Sequence, residues 1–222
     1  MESVNDSLNP LHRLIISYAK GKDRQKFGFL FAFDARLAEV IRTTSEPLIG
    51  QMRLTWWRDA LSMPESERPE GEPLIALYNV LERDGLSSSN LLTMIDGWEI
   101  LLEDFPWDDR QFDTYASCRG IGYFGFGLNQ NQLSEEMAGI SKIWALWDFA
   151  LHCSDHSTRA EALQRCRIIW EDSGTAIFDR NGRPLSILCK LAMRDVKRNR
   201  LSETIYQPST AAQVLWHGIT GL

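Results

Sequence analysis

Four side chains of metal-ligating type recur at helical spacing in the second half of the chain: Asp148, His152, Asp155 and His156 stand at i, i+4, i+7 and i+8. On one helical face, imidazoles and carboxylates at this spacing can bind zinc or iron. The competing reading is a solvated helix end, which the following Ser157-Thr158 suggests. No H-E-x-x-H or other hydrolase motif accompanies them. Asp34 is a second candidate. Phe27, Leu30, Phe31, Leu37, Ala38 and Ile41 make one apolar helical face, and Asp34 falls within it. An unpaired buried charge is very costly, so Asp34 must snorkel, pair with an arginine or face a cavity. In QMRLTWWRDAL, Met52 and Trp56 share one face, while Arg53 and Trp57 lie together on the next. GYFGFG, Gly122 to Gly127, suits close helix approach or a cavity wall. It is no phosphate loop, because it lacks the lysine and the preceding strand.

The elements that must position these groups read as helices throughout. Asn9-Pro10 opens a first helix that Gly21 ends, and Asp23 can cap a second running through FGFLFAFDARLAEVIR. Ser45-Glu46-Pro47 starts a third. Pro64 to Glu72 reads as a surface loop, and Pro73 begins a fourth helix closed by Gly85. Further helices are expected over Ser88 to Glu103, Asp109 to Asn129, Leu133 to Cys153, Thr158 to Asp172, Pro184 to Asn199 and Ser209 to Ile219. The expectation is an all-α bundle of about ten helices in a single domain, residues 1–222, with no internal repeat.

Composition narrows the function. With 44% hydrophobic and 24% charged residues, the chain is neither disordered nor fibrous. A net charge of −6, with no basic run flanked by stacking aromatics, excludes a nucleic-acid partner. Cys118, Cys153, Cys166 and Cys189 form no C-x-x-C pair, which points to a reducing, cytoplasmic setting. The opening MESVNDSLNP has no signal-peptide pattern, and no run of about 18 apolar residues occurs, so neither secretion nor a membrane span is expected. The eight tryptophans are in excess; they pack helices together or line an apolar ligand cavity. In RPLSILCKLAMRDVKRNR, Leu185, Leu188, Leu191 and Ala192 make an apolar face beside Lys190, Arg194, Lys197, Arg198 and Arg200. Such a helix could rest on an anionic membrane; the alternative is a core-facing helix with a solvated basic end.

FAFDARLAEVIR followed by IGQMRLTWWRDAL resembles the segment of squalene and phytoene synthases in which Y-A-F-C-R leads into the first aspartate-rich motif and then a W-R helix. TYASCRGIGYFGFG resembles that family's Y-x-x-x-A-G-x-x-G stretch, and AGISKIWALWDFALHCSDH its second aspartate-rich helix. The resemblance implies an isoprenoid synthase fold, in which carboxylates on two facing helices hold magnesium against a prenyl diphosphate. The family's D-D-x-x-D falls here on Ala38, Glu39 and Arg42, and its D-x-x-E-D on His152, Asp155 and His156. One carboxylate of each motif remains. A guanidinium about 4 Å from Mg²⁺ at an effective dielectric near 20 would contribute roughly 8 kcal/mol of repulsion. Magnesium needs anionic oxygen ligands, and two are too few for a cluster.

The expected protein is therefore a non-catalytic relative, with no cofactor, that lacks both diphosphate-gripping motifs. The run from Ser45 to Trp57 resembles the branch of that family containing a mitochondrial complex I assembly factor. The resemblance implies binding of a protein partner or an isoprenoid-like lipid during respiratory-complex biogenesis, in the cytoplasm or peripheral to the inner membrane. Asp34, Arg53, Trp57, Tyr115 and Asp148 are the candidate cavity or ligand-binding residues. Two alternatives stand beside this reading: an active, magnesium-dependent prenyl diphosphate condensing transferase, and a metal protein using Asp148, His152, Asp155 and His156.

Overall fold

A computed structural model describes residues 8–174, 176–201 and 214–218. The chain runs through α1 (Pro10–Ser17), α2 (Asp23–Arg42), α3 (Pro47–Ser62), α4 (Pro73–Arg83), α5 (Ser89–Glu99), α6 (Asp109–Leu128), α7 (Glu135–His152), α8 (His156–Asp172) and α9 (Arg183–Arg198). Two short 3₁₀ turns, Glu65–Glu67 and Ile100–Leu102, interrupt the connections. No strand occurs among the described residues, and the fold is all-α, as expected. Residues 214–218 are helical; the rest of the helix expected over Ser209 to Ile219 lies outside the described residues. None of the described helices is long and apolar enough to cross a membrane.

The helix starts follow local chemistry. The Asn9 side chain accepts from the His12 amide at 2.8 Å, and Pro10 takes the first position, where an N–H would have no helical partner. The Asp108 carboxylate accepts from the Gln111 amide while the Gln111 side chain accepts from the Asp108 amide, a reciprocal cap on α6. Three expected boundaries move. Asp23 lies inside the first turn of α2, paired with Lys26 at 2.9 Å, rather than capping it. Ser134 caps α7, which starts two residues later than expected. Asp155 caps α8, which starts at His156.

Helices α5, α6 and α7 pack closely along the chain, and glycines set how close they come. A Cβ on Gly97 of α5 would lie 2.6 Å from the Arg119 amide nitrogen of α6, and one on Gly120 of α6 would lie 2.6 Å from the Ser141 carbonyl of α7. Gly122 and Gly125 meet Asn90 of α5 in the same way, so GYFGFG serves close helix approach. Helix α2 packs against α5 and α6 of this group. The expected single apolar face proves too narrow, since every residue from Lys26 to Phe33 is buried. A helix apolar all round belongs in a core. Phe29 stacks on Phe33 at 5.7 Å, and Phe31 on Tyr123 of α6 at 6.0 Å. Five tryptophans, Trp57, Trp98, Trp107, Trp144 and Trp147, are buried between helices.

Helix α9 also differs from one of its expected readings. Leu185, Leu188, Leu191 and Ala192 are buried beneath α7, α8 and α1. Its apolar face is part of the core, and only Lys190, Lys197, Arg198 and Arg200 of its basic flank reach the surface. That leaves no apolar face there to lie on a membrane.

Candidate functional site

Asp34 stands where α2 leaves the fully buried run, and the burial argument that singled it out is answered by Arg119 of α6. The guanidinium grips the carboxylate with two bonds, Nη2 to Oδ2 at 2.9 Å and Nε to Oδ1 at 3.3 Å. The Trp98 indole N–H of α5 donates to the same carboxylate at 2.9 Å. On its other side Arg119 Nη1 reaches Asp148 Oδ2 of α7 at 2.8 Å and donates to the Tyr115 hydroxyl at 2.9 Å. The Trp98 and Trp144 rings lie 4.7 and 4.8 Å from the guanidinium carbon. One arginine thus joins carboxylates on two helices, with aromatic faces covering it.

Burial decides what this arrangement does. The Arg119 side chain is 2% exposed and those of Asp34 and Asp148 are 14% and 24% exposed. Burial alone would push the guanidinium pKa down; the charge of Asp34, then Tyr115 and Asp148, outweighs it and holds Arg119 protonated, well above its ordinary value. For Asp148, burial favours the neutral acid, but Arg119 and then His152 pull its pKa below the usual carboxylate range. Burial pushes the Tyr115 hydroxyl up, so it stays protonated. His12 of α1 packs on the Phe31 ring at 4.8 Å, and burial depresses its pKa against the opposing pull of Asp148 and Asp34. The centre carries two carboxylates, one guanidinium and a neutral imidazole.

Magnesium does not fit this donor set. Asp34 and Asp148 are both committed to one buried cation, the Arg119 guanidinium, whose charge already offsets theirs and opposes a second cation beside it. Among the described residues no group of three or more His, Cys, Asp or Glu side chains is placed to hold a metal. The expected site at Asp148, His152, Asp155 and His156 does not assemble on one helical face. Helix α7 ends at His152, Cys153 is extended, and a new helix begins at His156. Asp155 is occupied as a cap, accepting from the Thr158 amide at 2.7 Å; those bonds and the one from Ser157 hold its pKa down to about 2. His152 Nδ1 bonds its own helix at the Asp148 carbonyl, 2.8 Å away, and His156 is exposed.

Of the candidate cavity residues, the structure gathers Asp34, Tyr115 and Asp148 and leaves out Arg53 and Trp57. Arg53 donates to the hydroxyls of Thr43 and Thr44 at the end of α2. Trp57 packs edge-on against Phe33 at 5.4 Å. In the first motif, Ala38 is half-buried while Glu39 and Arg42 are exposed, and Glu39 pairs with Arg36 at 3.6 Å. The residue that organises the centre, Arg119, was not singled out by spacing. In the register of the Y-x-x-x-A-G-x-x-G resemblance it stands at the alanine, one turn beyond Tyr115. A charge at a small-residue position was the available signal.

The squalene/phytoene synthase family pattern matches residues 12–119. Among curated proteins, the chain is similar to "NADH dehydrogenase (ubiquinone) complex I, assembly factor 6" of Rattus norvegicus, 28% identical over 139 residues. The proteins of the same name from Bos taurus and Homo sapiens are 26% and 25% identical over 139 residues. Each alignment covers 62% of this chain, and the chain spans 38% of the length of these relatives. No solved structure matches. The stretch that matches the squalene/phytoene synthase pattern takes in α2, Tyr115 and Arg119 and ends before α7, which carries Asp148.

Proposed function

We propose that this chain is a non-catalytic relative of the squalene and phytoene synthases that works by binding, as an assembly factor for a respiratory complex, in the cytoplasm or peripheral to the inner membrane. The observation that carries the loss of chemistry is the Arg119 guanidinium bridging Asp34 and Asp148. Ionising an allylic diphosphate needs a concentrated positive charge that substrate oxygens can reach. Here the positive charge is spent on two carboxylates and sealed under Trp98 and Trp144. Similarity to assembly factors of complex I supports the binding role and favours a protein partner over an isoprenoid-like lipid. The aromatic packing around Arg119 points the same way, because this space is filled by the chain's own side chains.

Two experiments test the reading. Incubation with farnesyl or geranylgeranyl diphosphate and Mg²⁺ should release no pyrophosphate above background; metal-dependent release at enzymatic rates overturns the non-catalytic role. In cells lacking the chain, native gels should show less fully assembled complex I. Unchanged assembly would remove the second half of the proposal and leave the first intact.

A further inference from the structure

Helix α3 is apolar on both sides. Gly50, Leu54, Trp57, Ala60 and Leu61 are buried against the body of the protein. On the outer side Leu48, Met52 and Trp56, at i, i+4 and i+8, are 66%, 65% and 41% exposed, with Ile49 and Met63 beside them at 46% and 38%. Single exposed apolar residues are ordinary, but four large ones on one helix, with a fifth, Met63, at its C-cap, are not. The patch is on the order of 500 Å², towards the upper end of what a monomer exposes. Before its rim is counted, that approaches the roughly 800 Å² per partner of a standard interface.

We propose that this stripe is the contact surface for a second copy of the chain, with α3 packed antiparallel on α3 of the other protomer. The charges around the stripe are arranged end to end. Arg42 is exposed at the end of α2, and Arg53 is tied by Thr43 and Thr44 to that same end. At the other end Asp59 is exposed within the stripe, just short of one turn beyond Trp56. A two-fold axis at Met52 sets Leu48 opposite Trp56 of the copy and Asp59 opposite its position 45, beside the basic end. Glu46, exposed at the same end, is outnumbered by the two arginines. Antiparallel helices also oppose their dipoles favourably. An anionic lipid surface suits the stripe less well, because such surfaces select clusters of Lys and Arg, whereas an aspartate lies within this one.

This inference is independent of the assembly role and has its own test. Sedimentation velocity across the micromolar range should show a reversible monomer–dimer equilibrium. Met52→Asp should weaken it at least tenfold, as expected for a residue at the centre of an interface, with an unchanged circular dichroism melt at a concentration dilute enough to keep both proteins monomeric. Arg42→Asp and Asp59→Arg should each weaken it, and combining them in one chain should restore it, because the two charges meet across the axis. A protein that stays monomeric throughout, a dimer indifferent to Met52→Asp, or a double variant no better than the single ones overturns the proposal. So does vesicle binding that needs Met52 while the protein stays monomeric.

Discussion

Arg119 keeps a guanidinium 2% exposed among helices α2, α5 and α7, whereas Met52, on the outer face of α3, leaves an apolar side chain 65% exposed. Both invert the usual distribution of polar and apolar groups, in opposite directions. The interior inversion is compensated within the chain: the guanidinium donates two hydrogen bonds to Asp34 and one to Tyr115, and Asp148 lies 2.8 Å from it as a second counter-charge. No such compensation is available to the outer face of α3, since water is a poor neighbour for Leu48 and Met52. The contrast separates a feature that holds this molecule together from one that looks outward to another.

The largest effect should come from breaking the interior centre. Arg119→Met leaves Asp34 and Asp148 as part-buried carboxylates without their cation; removing one partner of a fully buried pair costs about 3–5 kcal/mol, and partial exposure of these two places the loss at the lower end, about 3 kcal/mol. Urea denaturation should show that loss as a lower midpoint with an unchanged slope. Replacing all three, as Arg119→Met with Asp34→Leu and Asp148→Leu, should recover most of it, because no stranded charge then remains. A loss under about 1 kcal/mol for Arg119→Met would mean that the centre is solvated rather than structural.

Asp155 offers a middle case, since one reading of its position made it a metal ligand and the structure makes it a helix cap. Asp155→Ala should cost about 1 kcal/mol, the usual worth of an N-cap, and the loss should be the same with or without divalent metal. Metal-dependent stability in the parent protein that disappears in this variant would restore the ligand reading.

The centre should also make stability fall in acid. Both His12 and Asp148 have pKa values depressed by folding. A depressed group binds fewer protons folded than unfolded, so its contribution is complete above the unfolded value and is lost as pH falls. For His12 the loss begins near its unfolded value of 6.5, and for Asp148 near 3.8. Urea midpoints measured from neutral to mildly acidic pH should therefore decline, and His12→Asn should flatten the upper part of that decline. A midpoint that rises between pH 7 and 5.5 would contradict the half-buried imidazole with its lowered pKa.

The sequence disclosed these regions unequally. Helix starts were legible because capping is local: Asn9-Pro10, Glu46-Pro47 and Glu72-Pro73 announce α1, α3 and α4 within a few residues. Asp34 was legible as a problem, a charge within an apolar stripe, but its solution lies 85 positions away in Arg119. Periodicity cannot see across that separation. The same limit explains the four residues from Asp148 to His156, whose spacing assumed one continuous helix; the break at Cys153 depends on α8 folding back against α7. For α9, the apolar face was legible and the core was one of two coverings that the sequence left open, because which neighbour buries a face is a tertiary fact.

The smallest effect on the isolated protomer should come from the outer face of α3, and its smallness is informative. Met52→Asp or Trp56→Ser removes apolar surface that is already largely in water, so protomer stability should change by no more than about 0.5 kcal/mol. Trp56 is the stricter case, because it packs edge-on against Trp57 at 4.9 Å and part of its ring is covered. Urea denaturation must be run dilute enough to keep protomers apart, since association adds its own stabilisation by mass action. If Met52→Asp destabilises the dilute protomer as strongly as a core substitution, the stripe belongs to the fold and the contrast with Arg119 collapses. If stability stays flat while association weakens, the apolar side chains of Leu48, Met52 and Trp56 contribute to contact with another molecule and not to the folding of their own.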